Sequence, residues 1–251
     1  MKKHFNKSFQ IGNKTVSEDS NVFIIAEAGV NHCGDMDMAY KMIDVAAESG
    51  SDAIKFQSFK ADSLILKDVD MADYQKTALK SNKTQYQMLK ELELNIESAE
   101  KLKKQSEEAG LIFLTTPFDY DSFKELIKLD LAAYKIASTD TTNIEFIKTI
   151  AMQNKPLIIS TGMTHMSEIS LLLNELKHIN KDIVLLQCTS NYPLDDSEVN
   201  LNVINTFKDN FDCLVGFSDH SIGIQASQLS VGIGSVMIEK HFTLDKNLPG
   251  P

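Results

Sequence analysis

The sequence predicts a (β/α)8 TIM barrel of the α/β class, and three observations carry that expectation. Eight short apolar runs rich in Val, Ile and Phe recur along the 251 residues, separated by amphipathic stretches of helical period. The alternation is strict, which calls for a parallel sheet, and eight units are enough to close one. No Gly-x-Gly-x-x-Gly follows the first run, which disfavours an open doubly wound sheet.

Residues 9–16, FQIGNKTV, read as a small hairpin, so 1–20 form an N-terminal extension and 21–251 the barrel domain. The strands are expected at 22–27, 53–57, 111–116, 133–138, 157–161, 183–188, 213–218 and 235–240. Helical period marks 38–49, 96–110 and 166–179, and Gly50 and Gly110 stand where helices terminate. The polar, Lys-rich connection 58–95 is long enough to be a lid or to carry its own short helix. Met152, Met163 and Met166 are expected to pack in the core or between helices. No eighth helix follows the last strand in this chain, so that strand's apolar flank is expected to be exposed.

A net charge of -10 argues against a general nucleic-acid or anionic-membrane surface. No run of about 18 apolar residues is present, as a membrane span would need, and the first residues lack the apolar core of a secretion signal. Cys33, Cys188 and Cys213 are widely spaced, without Cys-x-x-Cys, which fits reduced thiols in a cytoplasm.

The chemistry gathers at the strand ends. Glu27 closes the first, with Asn31 and His32 beyond it, and the second carries Lys55 and Gln57. Thr115 and Thr116 end the third, Lys135 and Ser138 mark the fourth, and Ser160 and Thr161 end the fifth. The sixth leads into Ser190 and Tyr192, the seventh into Ser218, Asp219 and His220, and the eighth into Glu239, Lys240 and His241. In a (β/α)8 barrel these ends form one mouth, where the active site lies. His220 and His241 could hold a divalent metal or be a hydrogen-bonded pair without one. Lys55 and Lys135 could bind a phosphate or carboxylate, or one could form a Schiff base. Thr116, Ser138, Ser160 and Ser218 supply hydroxyls to an anion site, while Cys188 reads as a small buried residue rather than a nucleophile.

Together, IIAEAGVNHCGD, AIKFQSFKA, TTPFD, YKIAS, STGM, CTSNYP, GFSDHSIG and IEKHFTLDKNLPGP resemble the nonulosonic acid synthase family, from about residue 20 to the end. Sialic, legionaminic and pseudaminic acid synthases make up this family. The resemblance implies an enzyme that joins phosphoenolpyruvate to an open-chain N-acetylated amino sugar, N-acetylmannosamine or its 2,4-diacetamido-6-deoxy analogue, and releases phosphate by C–O cleavage. It implies His220 and His241 as metal ligands, with Mn²⁺ favoured and Mg²⁺ or Co²⁺ possible. Glu27 becomes the catalytic carboxylate, and Lys55, Thr116, Lys135, Ser138, Ser160 and Ser218 surround phosphoenolpyruvate. By the same resemblance Ser190 and Tyr192 are substrate-binding residues, Tyr192 as a tyrosine of the substrate pocket. Lys135 and Asp140 join Glu27 as catalytic residues, although Asp140 stands one methylene short of the family's glutamate, and Ser190 replaces the asparagine of many sialic acid synthases, which brings CTSNYP closer to legionaminic acid synthases. The resemblance also implies a longer protein, a homodimer completed by a C-terminal antifreeze-like domain, with this chain as a fragment or its ordered part. Two rivals share the fold: a Schiff-base lysine aldolase and a non-catalytic sugar-binding barrel. For the synthase, Glu27→Gln is expected to fold normally and lose turnover.

Overall fold

A computed structural model of the chain describes residues 4–72, 75, 76, 79 and 83–248. Strands β1 (Ser8–Ile11) and β2 (Lys14–Ser17) form the antiparallel hairpin expected at 9–16. Eight further strands form one sheet: β3 (Phe23–Gly29), β4 (Ala53–Ser58), β5 (Ile112–Pro117), β6 (Tyr134–Ile136), β7 (Leu157–Ser160), β8 (Ile183–Gln187), β9 (Leu214–Asp219) and β10 (Met237–His241). Their order is β5-β4-β3-β10-β9-β8-β7-β6. The fold class is the (β/α)8 barrel.

The chain divides into two compact units, residues 1–25 with 132–240, and residues 26–131 with 241–251. In the first unit β6 to β10 pair in parallel, with Tyr134 opposite Leu157, Val184 opposite Leu214, and Glu239 opposite Ser218. All residues of β7, β8 and β9 are buried, as expected of parallel strands covered on both faces. Helices α6 (Ile144–Ala151), α7 (Met166–Leu176), α8 (Asn202–Asn210) and α9 (Gln225–Gly232) lie between them in sequence. Leu172 and Leu176 of α7, with Ile204 and Phe207 of α8, bury the apolar stripe that their spacing announces.

In the second unit β4 and β5 pair in parallel, with Lys55 opposite Leu114 and Gln57 opposite Thr116. Helix α1 (Met36–Glu48) is capped by the Asp35 side chain, and α4 (Ile96–Glu108) by Asn95. Gly50 and Gly110 take the left-handed φ of helix-terminating glycines, +78° and +81°. The connection 58–95 does carry its own helices, α2 (Ala61–Leu64) and α3 (Gln85–Leu92), with a Thr84/Gln87 capping box on the latter. Phe59, Met71, Met88 and Leu92 give the connection a small core of its own. Helix α5 (Tyr120–Leu126) follows β5.

Three expectations need correction. The fourth strand stops at Ile136, because Ser138–Asp140 turns into a 3-10 helix instead of extending. Met152 and Met163 are about three-fifths exposed (61% and 60%) and Met166 is also exposed, because all three sit at helix ends or in loops away from the apolar stripes. The eighth strand does not bare an apolar flank: Val236, Met237 and Ile238 are buried, with Met237 pressed against Gly216 beside Leu186. The exposed apolar side chains of this region lie instead on the next elements back, at Ile222 (71%), Ile224 and Leu229 (63%). No helix among the described residues is long and apolar enough to cross a membrane.

Candidate active site

Each unit buries one lysine against one glutamate. In the unit of residues 26–131 with 241–251, Glu27 on β3 is 1% exposed, and its Oε2 lies 2.8 Å from Lys55 Nζ on β4. Lys55 also donates to Thr116 Oγ1 on β5 at 3.0 Å, and Gln57 Nε2 donates to Glu27 Oε1 at 3.4 Å. Inward-facing positions i and i+2 of one strand therefore serve one carboxylate. Gly29, at φ +55°, closes the strand where a Cβ would come within 3.3 Å of Glu27 Oε1 and 3.5 Å of His241 Cε1. That glycine lets backbone lie against the carboxylate and the imidazole edge. His241, at the exposed end of β10, follows on: Phe242 N donates to Glu27 O at 3.2 Å, and Asn31 Nδ2 to Phe242 O at 2.7 Å. His32 is buried, and burial pushes its imidazole down to about 4. Its Nδ1 accepts from Gly34 N at 3.1 Å, so the ring proton sits on Nε2, which has no hydrogen-bond partner among the described residues.

In the unit of residues 1–25 with 132–240, Lys135 Nζ on β6 donates to Ser160 Oγ on β7 at 2.6 Å and to Ile136 O at 3.0 Å, and lies 3.7 Å from Glu239 Oε1. Ser218 donates to the same Glu239 oxygen at 3.0 Å. A hydroxyl pocket adjoins the β6 turn: Gly162 N donates to Ser138 Oγ at 2.9 Å, and Cys188 Sγ is 3.2 Å from that oxygen. A Cβ on Gly162 would meet Ser190 Oγ at 2.7 Å and Cys188 Sγ at 2.8 Å, so a larger residue there would force these side chains to shift. His220 Nδ1 lies 2.7 Å from Thr189 O, and a carbonyl only accepts, so Nδ1 carries the proton and the lone pair is on Nε2. Burial lowers the pKa of this imidazole, and Tyr192 covers one ring face with centroids 4.1 Å apart. Asp140 is half-buried on the 3-10 turn and accepts from Thr139 Oγ1 at 3.3 Å.

Known proteins are similar to this chain in sequence and fold. Residues 42–251 match the NeuB family. An N,N'-diacetyllegionaminic acid synthase of Legionella pneumophila is 44% identical over 245 residues, which is 96% of this chain and 69% of that protein. A second, from Campylobacter jejuni, is 46% identical over 231 residues, 91% of this chain and 69% of its own length. Among solved structures, an N-acetylneuraminic acid synthetase of Leptospira borgpetersenii superposes with a TM-score of 0.86 at 33% identity, covering 98% of this chain and 82% of that one. The chain belongs to the NeuB family. It is a synthase of the class that condenses phosphoenolpyruvate with an amino sugar.

NeuB synthases are generally metal-dependent. Among the described residues no group of three or more His, Cys, Asp and Glu side chains is placed to hold a metal ion. A ligand set drawn mainly from imidazoles and solvent is compatible with that, and His220 fits it. Burial disfavours the charged form of its ring, and Nδ1–H is anchored on a backbone carbonyl, as in metal-binding histidines, with Nε2 3.4 Å from Ser218 Oγ. His241, the other imidazole singled out from the sequence, belongs to the other unit.

Within each unit the structure gathers the residues singled out at the strand ends: Glu27, Lys55 and Thr116 in one, and Lys135, Ser160 and Ser218 in the other. Two groups escaped assignment from the sequence. Glu239 was visible as a strand-end charge, but its ties to Lys135 and Ser218 depend on register across strands. The Gly162 N–H is a backbone group, and its only trace is the Ser-Thr-Gly run after β7. The ion pair also alters the expectation for Glu27→Gln, since loss of the carboxylate would strand a buried ammonium.

Proposed function

We propose that this NeuB synthase joins phosphoenolpyruvate to the aldehyde of a 2,4-diacetamido-6-deoxy sugar, forming N,N'-diacetyllegionaminate and phosphate. The observation that carries the choice of sugar is the 44% and 46% identity, over more than nine-tenths of the chain, to two synthases of that acid. Ser190 in CTSNYP points the same way.

The enol carbon of phosphoenolpyruvate attacks the aldehyde carbon, and the aldehyde oxygen takes up a proton to become a hydroxyl. Water adds to the cationic carbon that results, surrendering one proton; the C–O bond to phosphate then breaks, and the remaining hydroxyl proton passes to the departing phosphate to leave the α-keto acid. Lys55, Thr116, Lys135, Ser138, Ser160 and Ser218 offset the phosphate and carboxylate charge, which the net charge of -10 would otherwise repel. Glu27, ionised in its pairing with Lys55, accepts the proton from the attacking water. Asp140, Ser190 and Tyr192 orient the sugar. His220 and His241 are assigned as ligands of a divalent cation, Mn²⁺ before Mg²⁺ or Co²⁺. When bound, it supplies Lewis acidity to the aldehyde oxygen. A Schiff base on Lys55 or Lys135 would need a neutral amine and would forfeit the carboxylate each lysine faces. The proposal extends to a cytoplasmic homodimer, with residues 1–20 an extension of the catalytic barrel at 21–251.

The test is phosphate release from phosphoenolpyruvate carrying ¹⁸O in its bridging position, with each sugar, before and after chelation and Mn²⁺ return. Label in the phosphate, faster turnover with the diacetamido sugar and loss of activity on chelation are expected. Preference for N-acetylmannosamine would overturn the choice of sugar, and a borohydride-trapped lysine adduct would overturn the mechanism.

A further inference from the structure

Asp219 ends β9 between Ser218 and His220, and its side chain is fully buried. Its Oδ1 accepts from Ser221 N at 2.9 Å and from Ser221 Oγ at 2.7 Å. Its Oδ2 accepts from Ser227 Oγ at 2.6 Å and pairs with Lys240 Nζ at 2.9 Å. An ionised carboxylate offers about four acceptor positions, and here four are used. Such a group has no capacity left for substrate. It binds protein to protein instead, tying the end of β9 to the turn at Ser221, to helix α9 through Ser227 and to β10 through Lys240, which also donates to Ser221 O at 2.8 Å.

His220 sits in the middle of this clamp. Its backbone oxygen accepts from Leu194 N at 2.9 Å, and Leu194 bridges to Ser221, so both flanks of the histidine are held. With the backbone at 219–221 immobilised, the imidazole is set by its Nδ1–H on Thr189 O at 2.7 Å, by Nε2 lying 3.4 Å from Ser218 Oγ, and by the Tyr192 ring against its face.

We propose that Asp219 is a positioning residue for the synthase reaction: its carboxylate clamps residues 219–221 so that the His220 ring keeps its Nδ1–H on Thr189 O, which makes Nε2, beside Ser218 Oγ, the ring's ligand atom. This rests on the reading of His220 given above. Asp219→Asn is the informative change, since the amide keeps one acceptor oxygen for Ser221 but turns an NH₂ toward Ser227 and the Lys240 ammonium.

Two measurements on folded protein decide it. The ¹⁵N shifts of the His220 ring, recorded without metal, should show the Nδ1–H tautomer in the wild type and a mixture in Asp219→Asn. Mn²⁺ affinity, read from the free-ion electron paramagnetic resonance signal, should fall about tenfold or more, the scale of lost outer-shell support. A folded Asp219→Asn protein with the wild-type tautomer and affinity would overturn the proposal, however much its melting temperature fell. If Asp219→Asn fails to fold, Ser227→Ala and Lys240→Met each remove one partner of the carboxylate, and smaller shifts of the same sign are expected. Wild-type tautomer and affinity in both would overturn the proposal. A wild-type protein that binds no Mn²⁺ would defeat the metal assignment, while the tautomer comparison still decides the role of Asp219.

Discussion

Glu27→Gln separates what a buried charge does for the fold from what it does for the reaction. Glu27 and Lys55 are 2.8 Å apart with side chains 2% and 4% exposed, so neither charge has water to fall back on. Removing one member of such a pair costs about 3–5 kcal/mol, because the other charge is left uncompensated. Two contacts pull the value toward the lower end: the glutamine oxygen still accepts from the ammonium, and Thr116 Oγ1 keeps its 3.0 Å bond. A loss of about 3 kcal/mol corresponds to a fall in Tm of roughly 6–12 °C for a chain of this size.

The assay is a double-mutant cycle. Glu27→Gln and Lys55→Met should each destabilise, and the double variant, with no charge left to strand, should recover most of the loss. Turnover should not recover, because proton transfer from water needs the carboxylate. If Glu27→Gln melts with the wild type, the ion pair has no structural weight. If it turns over near the wild-type kcat, Glu27 is not the base.

Further predictions follow from single contacts. His32 is buried near 4 but titrates at about 6.5 in an unfolded chain, so between those values the unfolded state binds a proton the folded state excludes. Stability should therefore fall as pH drops through that window, by about 3 kcal/mol at 1.36 kcal/mol per pH unit. Urea titrations of wild type and His32→Asn from pH 7 to 4 should converge on acidification, and parallel curves would refute the reasoning. Gly162→Ala places a methyl within 2.8 Å of both Ser190 Oγ and Cys188 Sγ, an overpacking of about 1–3 kcal/mol. The backbone φ at 162 is not left-handed, so any loss of kcat/KM is steric, and an unchanged KM for phosphoenolpyruvate would count against an anion pocket there. Lys135→Met removes the donor to Ser160 and the cation facing Glu239, and should cost more than about 1.5 kcal/mol in kcat/KM, chiefly through phosphoenolpyruvate. A loss confined to the sugar's KM would reassign the lysine.

The fold was legible because its signal is repetitive. Eight apolar runs in alternation with helical period say the same thing eight times, and an error of two residues at β6 leaves the class untouched. The exposures of Met152 and Met163 were not legible, since methionine reads as apolar wherever it stands, while position at a helix end or in a turn decides its burial.

Within the site, what could be read was the residue type at each strand end, and what could not was the partner. Period-2 alternation says that Lys55 and Gln57 share a face of β4, but not that Glu27 on β3 receives both. Asp219 shows the limit most clearly. In the string Ser-Asp-His it reads as the middle of three functional polar residues, and the alternation that sends Ser218 and Glu239 to one face sends Asp219 and Lys240 to the other. Only the four hydrogen bonds on its carboxylate show that its chemistry is spent on holding the chain. A run of charge at a strand end thus mixes groups that meet the substrate with groups that fix them in place. The two are told apart by counting which acceptors are already occupied.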